Sequence, residues 1–99
     1  MANFDTIINS NNLVLVDFYA TWCGPCQALT PVLKDVKSEL GAHISIVKMD
    51  VDKNQALASQ YQVRGVPTLL LFKNGKQIWR QSGVPSKNDL IQLIKHNTN

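Results

Sequence analysis

Apolar residues recur along the chain in short periodic segments divided by polar turns, and each period names an element. Phe4, Ile7 and Ile8 stand at i, i+3 and i+4, the spacing of one helix face. The Asn9-Ser10-Asn11-Asn12 run ends that segment, because Asn competes with the helix for backbone hydrogen bonds. Residues 13–20 read Leu-Val-Leu-Val-Asp-Phe-Tyr-Ala, an apolar run without alternation, which predicts a strand covered on both faces as in a parallel sheet. One carboxylate, Asp17, interrupts it. After Gly24 and Pro25, apolar residues return at Leu29, Val32, Leu33, Val36 and Leu40. That spacing predicts a helix, kinked at Pro31 and stopped by Gly41. Residues 44–51 predict a second strand, followed by Asp52 as the N-cap of a short helix in which Leu57 and Tyr61 share a face. Runs at 68–72 and 77–82 flank Lys73-Asn74-Gly75-Lys76, and Asn-Gly between two β-type runs predicts an antiparallel hairpin. Ser86 with Asp89 three residues on has the look of a capping box, and Leu90, Leu93 and Ile94 give a closing helix its apolar stripe.

The predicted order is α, then β-α-β with a right-handed crossover, then α, a β-hairpin and a last α. It specifies an α/β fold of three layers, α/β/α, around a mixed central sheet. At 99 residues the chain is short of the roughly 100 to 150 typical of one domain, so residues 1–99 are expected to form a single domain. Hydrophobic residues make up 44% and charged residues 17%, close to globular averages, so a packed core is within reach.

Charge narrows the function classes. The net charge is +3, but the basic residues are scattered singly from Lys34 to Lys95 with no interleaved aromatics, which argues against nucleic-acid binding. No stretch has the 18 or more apolar residues of a membrane span, and residues 1–5 lack the basic and apolar regions of a signal peptide. A cytoplasmic protein is the expectation.

Candidate chemistry lies in the two cysteines, Cys23 and Cys26. Two thiols separated by two residues at a helix start can close a small disulfide ring without moving the backbone, so the pair can cycle between dithiol and disulfide. Cys23 precedes the helix, where unpaired N–H groups and the positive dipole end favour thiolate, which makes it the expected nucleophile; Cys26 lies a turn deeper. Gly24 lets the turn tighten, and Pro25 suits the first helical position. Half a zinc site is a poor alternative, since His43 and His96 have no metal-like spacing to each other or to the cysteines. A purely structural disulfide is also poor, because so small a ring removes little entropy from the unfolded chain.

Trp22-Cys23-Gly24-Pro25-Cys26 after Val16-Asp17-Phe18, then Val66-Pro67-Thr68, Lys73-Asn74-Gly75 and Ser82-Gly83-Val84 resemble the thioredoxin family, in family order over roughly residues 3–97. The resemblance implies the thioredoxin fold and a disulfide reductase. Cys23 would attack a client disulfide, and Cys26 would resolve the mixed disulfide. Burial of Asp17 in an apolar strand should raise its pKa, and by resemblance it helps to deprotonate Cys26, with Lys48 as its opposite charge. Pro67 matches the family's cis-proline beside the disulfide. Trp22, Gly24, Pro25, Val66, Pro67, Gly83 and Val84 would form a flat apolar patch around an exposed Cys23 sulfur, across which an extended substrate segment could pair. No cofactor would be bound beyond the redox-active disulfide, and no metal. Reducing equivalents would come from NADPH through a flavin thioredoxin reductase. Partners would be that reductase and disulfide-containing client proteins, with neither nucleic acid nor membrane.

The chain departs from the family pattern at several places. Only Met1, Ala2 and Asn3 precede Phe4, too few for the usual first strand, so four strands are expected. The strand at 44–50 would then be a bare edge, and a monomer is expected, with a weak dimer through that edge as the alternative. Tyr19 stands where Trp is frequent, Gln27 where a basic residue often follows, and Pro85 follows Val84. Two rival readings keep the fold: a binding module whose cysteines stay idle, and a disulfide donor or isomerase, which would require an oxidising compartment.

Overall fold

The computed structural model describes residues 3–98. Its elements are α1 (Phe4–Ile8), β1 (Leu13–Tyr19), α2 (Gly24–Leu40), a 3-10 turn (Gly41–His43), β2 (Ser45–Asp50), α3 (Gln55–Gln60), β3 (Thr68–Lys73), β4 (Lys76–Ser82) and α4 (Lys87–Asn97). Four strands make one mixed sheet in the order β2-β1-β3-β4. β1 runs parallel to β2 and antiparallel to β3, and β3 and β4 form the hairpin. Asn74 and Gly75, both at positive φ (51° and 82°), make the two-residue turn that the Asn-Gly pair favours.

Because β1 and β3 are covered on both faces, alternate residues feed two separate cores. On one face Leu13, Leu15, Leu69 and Leu71 pack against Leu29, Leu33, Val36 and Leu40 of α2 and Leu90, Ile91 and Ile94 of α4. On the other, Val14, Val16, Phe18, Leu70 and Phe72 pack against Ile8 and Ala58, with Phe4, Leu57 and Tyr61 alongside. The three-layer α/β/α expectation holds.

α2 runs from Gly24 to Leu40 with Pro31 inside it. Two local expectations are corrected. Gly24, not Pro25, takes the first helical position; Pro25 is second, still among the four donors a helix start leaves unpaired, so its missing N–H costs nothing. Asp52 does not cap α3: the cap position is Asn54, because the turn after β2 is closed by the Asp50 side chain accepting from the Asp52 N–H (2.9 Å) and by the Asn54 amide donating to the Asp50 carbonyl (2.9 Å).

Candidate active site

β1 ends at Tyr19 and α2 begins at Gly24, so the intervening loop delivers the cysteines to the carboxyl end of the central strand. The Cys23 N–H donates to the Ala20 carbonyl (3.2 Å) and the Gln27 N–H to the Cys23 carbonyl (3.3 Å), which fixes Cys23 as the N-cap. Cys23 and Cys26 are joined as a disulfide with Cα atoms 5.3 Å apart, inside the normal span. The Cys26 N–H points at the Cys23 Sγ from 3.1 Å. This donor and the dipole end of a 17-residue helix are aimed at the sulfur that would carry negative charge after reduction.

The expectation of an exposed Cys23 sulfur is corrected: Cys23 and Cys26 are each 4% exposed. Both pack with Ala20 against Tyr19, Val51 and Val66, so residue exposure does not separate them; their places at the helix start do. The cover comes from loops distant in sequence. The Val66–Pro67 peptide is cis, and the Val66 carbonyl lies 3.6 Å from the Cys23 Sγ. The Gly83 N–H donates to the Pro67 carbonyl (2.9 Å), and the Thr68 hydroxyl reaches the Gly65 carbonyl (2.6 Å) and the Ser82 hydroxyl (3.2 Å). Residues 65–68 and 82–83 are thereby held together beside the disulfide.

Around it, Trp22 is 70% and Val84 42% exposed, Gly24, Pro25 and Gly83 are exposed, Val66 is half-buried and Pro67 is buried. The surface is not flat. A concavity of about 140 Å³ lies beside Trp22, lined by Val51, Val63, Arg64, Gly65 and Val66. Sequence reasoning missed Val51, Val63, Arg64 and Gly65, although the last two directly precede Val66-Pro67. It also missed Asp52, whose carboxylate accepts from the Trp22 indole N–H at 2.8 Å and fixes the ring despite its exposure.

Asp17 continues the Leu13 and Leu15 face of β1 and so lies under α2. It is fully buried, and neither carboxylate oxygen has a hydrogen-bond partner among the described residues. Removal from water penalises the charged form and raises its pKa from 3.8 to about 6, against a smaller opposing pull from Lys48. Lys48 is the register partner of Asp17 across β1 and β2. Its ammonium nevertheless makes no ion pair with Asp17: it donates to the Thr30 hydroxyl (3.4 Å) and sits 4.5 Å from the centre of the Tyr19 ring. The Thr30 hydroxyl in turn reaches the Cys26 carbonyl at 3.4 Å, so Lys48 and Thr30 link β2, the strand beside the carboxylate's own, to the first turns of α2. No His, Cys, Asp and Glu cluster suited to a metal ion occurs among the described residues, and no described helix is long and apolar enough to cross a membrane.

A closable dithiol at the start of a helix, on an α/β/α sheet whose preceding strand carries a buried, unpaired carboxylate, is the arrangement of a thiol-disulfide oxidoreductase. The family model described as Thioredoxin matches residues 1–96. A thioredoxin-like protein of Synechocystis is 50% identical over 95 residues, covering 95% of this chain and 90% of that protein. A thioredoxin of Chlamydia trachomatis is 50% identical over 88 residues, covering 88% and 85%. Among solved structures, a point mutant of thioredoxin from Halobacterium salinarum superposes with a TM-score of 0.88 at 46% identity, covering 96% of this chain and 82% of that one. The chain belongs to the thioredoxin family. It is a protein-disulfide oxidoreductase that works by dithiol-disulfide exchange through Cys23 and Cys26.

Proposed function

We propose that the chain reduces the disulfides of client proteins, with Cys23 as nucleophile and Cys26 as resolving thiol. The observation that carries this reading is the Cys26 N–H aimed at the Cys23 Sγ. In the dithiol form, the Cys23 thiolate attacks one client sulfur; the client S–S bond breaks, a Cys23–client bond forms, and the departing thiolate takes a proton from solvent. Asp17, ionised above about pH 6, accepts the Cys26 proton, directly or through water. The Cys26 thiolate then attacks the Cys23 sulfur, the mixed disulfide breaks, and the second client thiolate leaves and is protonated. Two electrons pass from the protein to the client, and the Cys23–Cys26 disulfide remains.

Lys48 holds the ionised Asp17 by charge. Trp22, Gly24, Pro25, Val66, Pro67, Gly83 and Val84 receive an extended client segment, with the concavity beside Trp22 for one of its side chains. A flavin thioredoxin reductase drawing on NADPH restores the dithiol. The cytoplasm, where thiols are kept reduced, is the compartment this direction of chemistry suits. The reading takes residues 1–99 as one domain.

Insulin reduction driven by dithiothreitol tests it. Cys23→Ser should fall to the rate of dithiothreitol by itself. Cys26→Ser should also lose turnover but accumulate a covalent mixed disulfide visible by mass spectrometry. Wild-type turnover no faster than dithiothreitol would overturn the reading and leave a binding module with idle cysteines.

A further inference from the structure

We propose that the outer edge of β2, with the groove between β2 and α2, takes up an extended acidic segment of a partner protein as an added strand. This surface lies away from the client-facing patch around Trp22 and shares only Lys48 and Thr30 with the active site, and the proposal does not rest on the dithiol chemistry. The sheet order leaves β2 unpaired on its outer side among the described residues. The Val51 N–H donates inward to the Tyr19 carbonyl (2.9 Å). Main-chain groups alternate sides along a strand, so residues 45, 47 and 49 face β1 while Ile46 and Lys48 present theirs outward. The open stretch is bounded at both ends. The Ile44 carbonyl is taken by the Lys37 ammonium (2.6 Å), and the Asp50 carbonyl by the Lys53 N–H (3.2 Å) and the Asn54 amide (2.9 Å).

The side chains beside this edge define what fits. A groove of about 420 Å³ runs between α2 and β2, with Leu33 and Ile46 as its apolar floor and Lys34, Lys37 and Lys48 around it. On the opposite face of the same strand Val47 and Met49 are only half-buried. The other sheet edge is more polar: β4 presents Lys76, Gln77, Arg80 and Gln81, all exposed, with Ile78 as an exposed apolar side chain among them, and its charges are of the sort that resist pairing. An added strand would turn alternate residues to the two faces. Glu side chains on the groove side would lay their methylenes on Leu33 and Ile46 and their carboxylates beside the ammonium groups, while apolar residues on the other side would cover Val47 and Met49.

Charge selects the occupant. A second copy carries the same lysines and the same +3, so edge-to-edge self-pairing would set like charges against each other. The carboxylates of α2 do not offset them, because Glu39 is engaged by Lys87 of α4 at 3.5 Å and Asp35 does not line the groove.

The test titrates the full chain with a fluorescein-labelled hexapeptide alternating Glu and Val, followed by anisotropy and by amide exchange. The expected result is saturable binding with at least about tenfold slowing of exchange at the Ile46 and Lys48 amides. The Lys34→Glu, Ser38→Glu double variant should bind roughly tenfold more weakly. A Lys-Val peptide, or a Glu peptide with Pro at alternate positions to block pairing, should not bind. Equal binding of the Pro peptide, protection elsewhere than Ile46 and Lys48, or a sedimenting dimer with those amides already protected would each overturn the proposal.

Discussion

The two cores on either side of the sheet are built from alternate residues of the same strands, yet they are chemically unlike. Under α1 and α3 the layer is hydrocarbon and aromatic: the Phe4 ring meets Tyr61 and Phe72 with centroids 5.3 and 5.6 Å apart, and Tyr61 meets Phe72 at 5.9 Å. Under α2 the leucines of β1 give way to Asp17, a carboxylate with no hydrogen-bond partner among the described residues. The first layer supplies stability. The second surrenders some of it to keep a buried titratable group in the strand that leads into the dithiol loop, a recognised pattern of cost accepted at functional sites.

Phe72→Ala should break the first layer with the largest effect on folding. A fully buried ring replaced by methyl leaves a cavity costing about 3–5 kcal/mol, to be read as a loss in denaturant midpoint. Insulin reduction per folded molecule should stay near wild type, and a large drop in that specific rate would show that the two layers are not separable.

Asp17→Asn should act in the opposite direction on stability. The folded pKa lies above the unfolded value, so ionisation is penalised in the fold. The penalty is absent below about 3.8, grows with pH and is complete above about 6, where the difference corresponds to about 3 kcal/mol. The variant should therefore be more stable than wild type by about that amount at pH 7 and indistinguishable from it near pH 3.5, as measured by urea unfolding across pH. Its reductase rate should fall and lose any inflection near pH 6. Equal stability at pH 7 would mean that water or a rearrangement satisfies the carboxylate.

Lys48→Gln is the smallest change and sharpens the same contrast. Removing the cation should move the Asp17 midpoint further up from about 6, since the opposing pull is lost and burial remains. Carbon-13 NMR of the carboxyl group would follow it, and an unmoved midpoint would show that Lys48, exposed and turned to Thr30 and Tyr19, is screened from Asp17.

Much of this contrast could be read before folding, where the governing forces are local. The period of residues 29–40 named α2, the apolar run at 13–20 named a strand buried on both sides, and Asn74-Gly75 named its turn, because each depends on residues within a few positions of one another. The Cys-Gly-Pro-Cys spacing showed a closable dithiol for the same reason. Local rules failed at Asp52, which had the chemistry of a helix cap and instead became the acceptor for Trp22, thirty residues away. They also failed for Arg80. Its guanidinium reaches from β4 to the carbonyls of Tyr61 and Gln62 and ties down the segment leading to Pro67, a tie with no signature in sequence.

The sequence by itself determined the elements, the dithiol and the presence of a charge in an apolar strand, since backbone preference and hydrophobic period act over a turn or a few residues. Tertiary structure decided the strand order, the burial of Cys23 under Val66, the isolation of both Asp17 oxygens and the open groove beside β2. Those depend on which distant surfaces close over one another, and only the packed chain sets the solvent and the neighbours that each group meets.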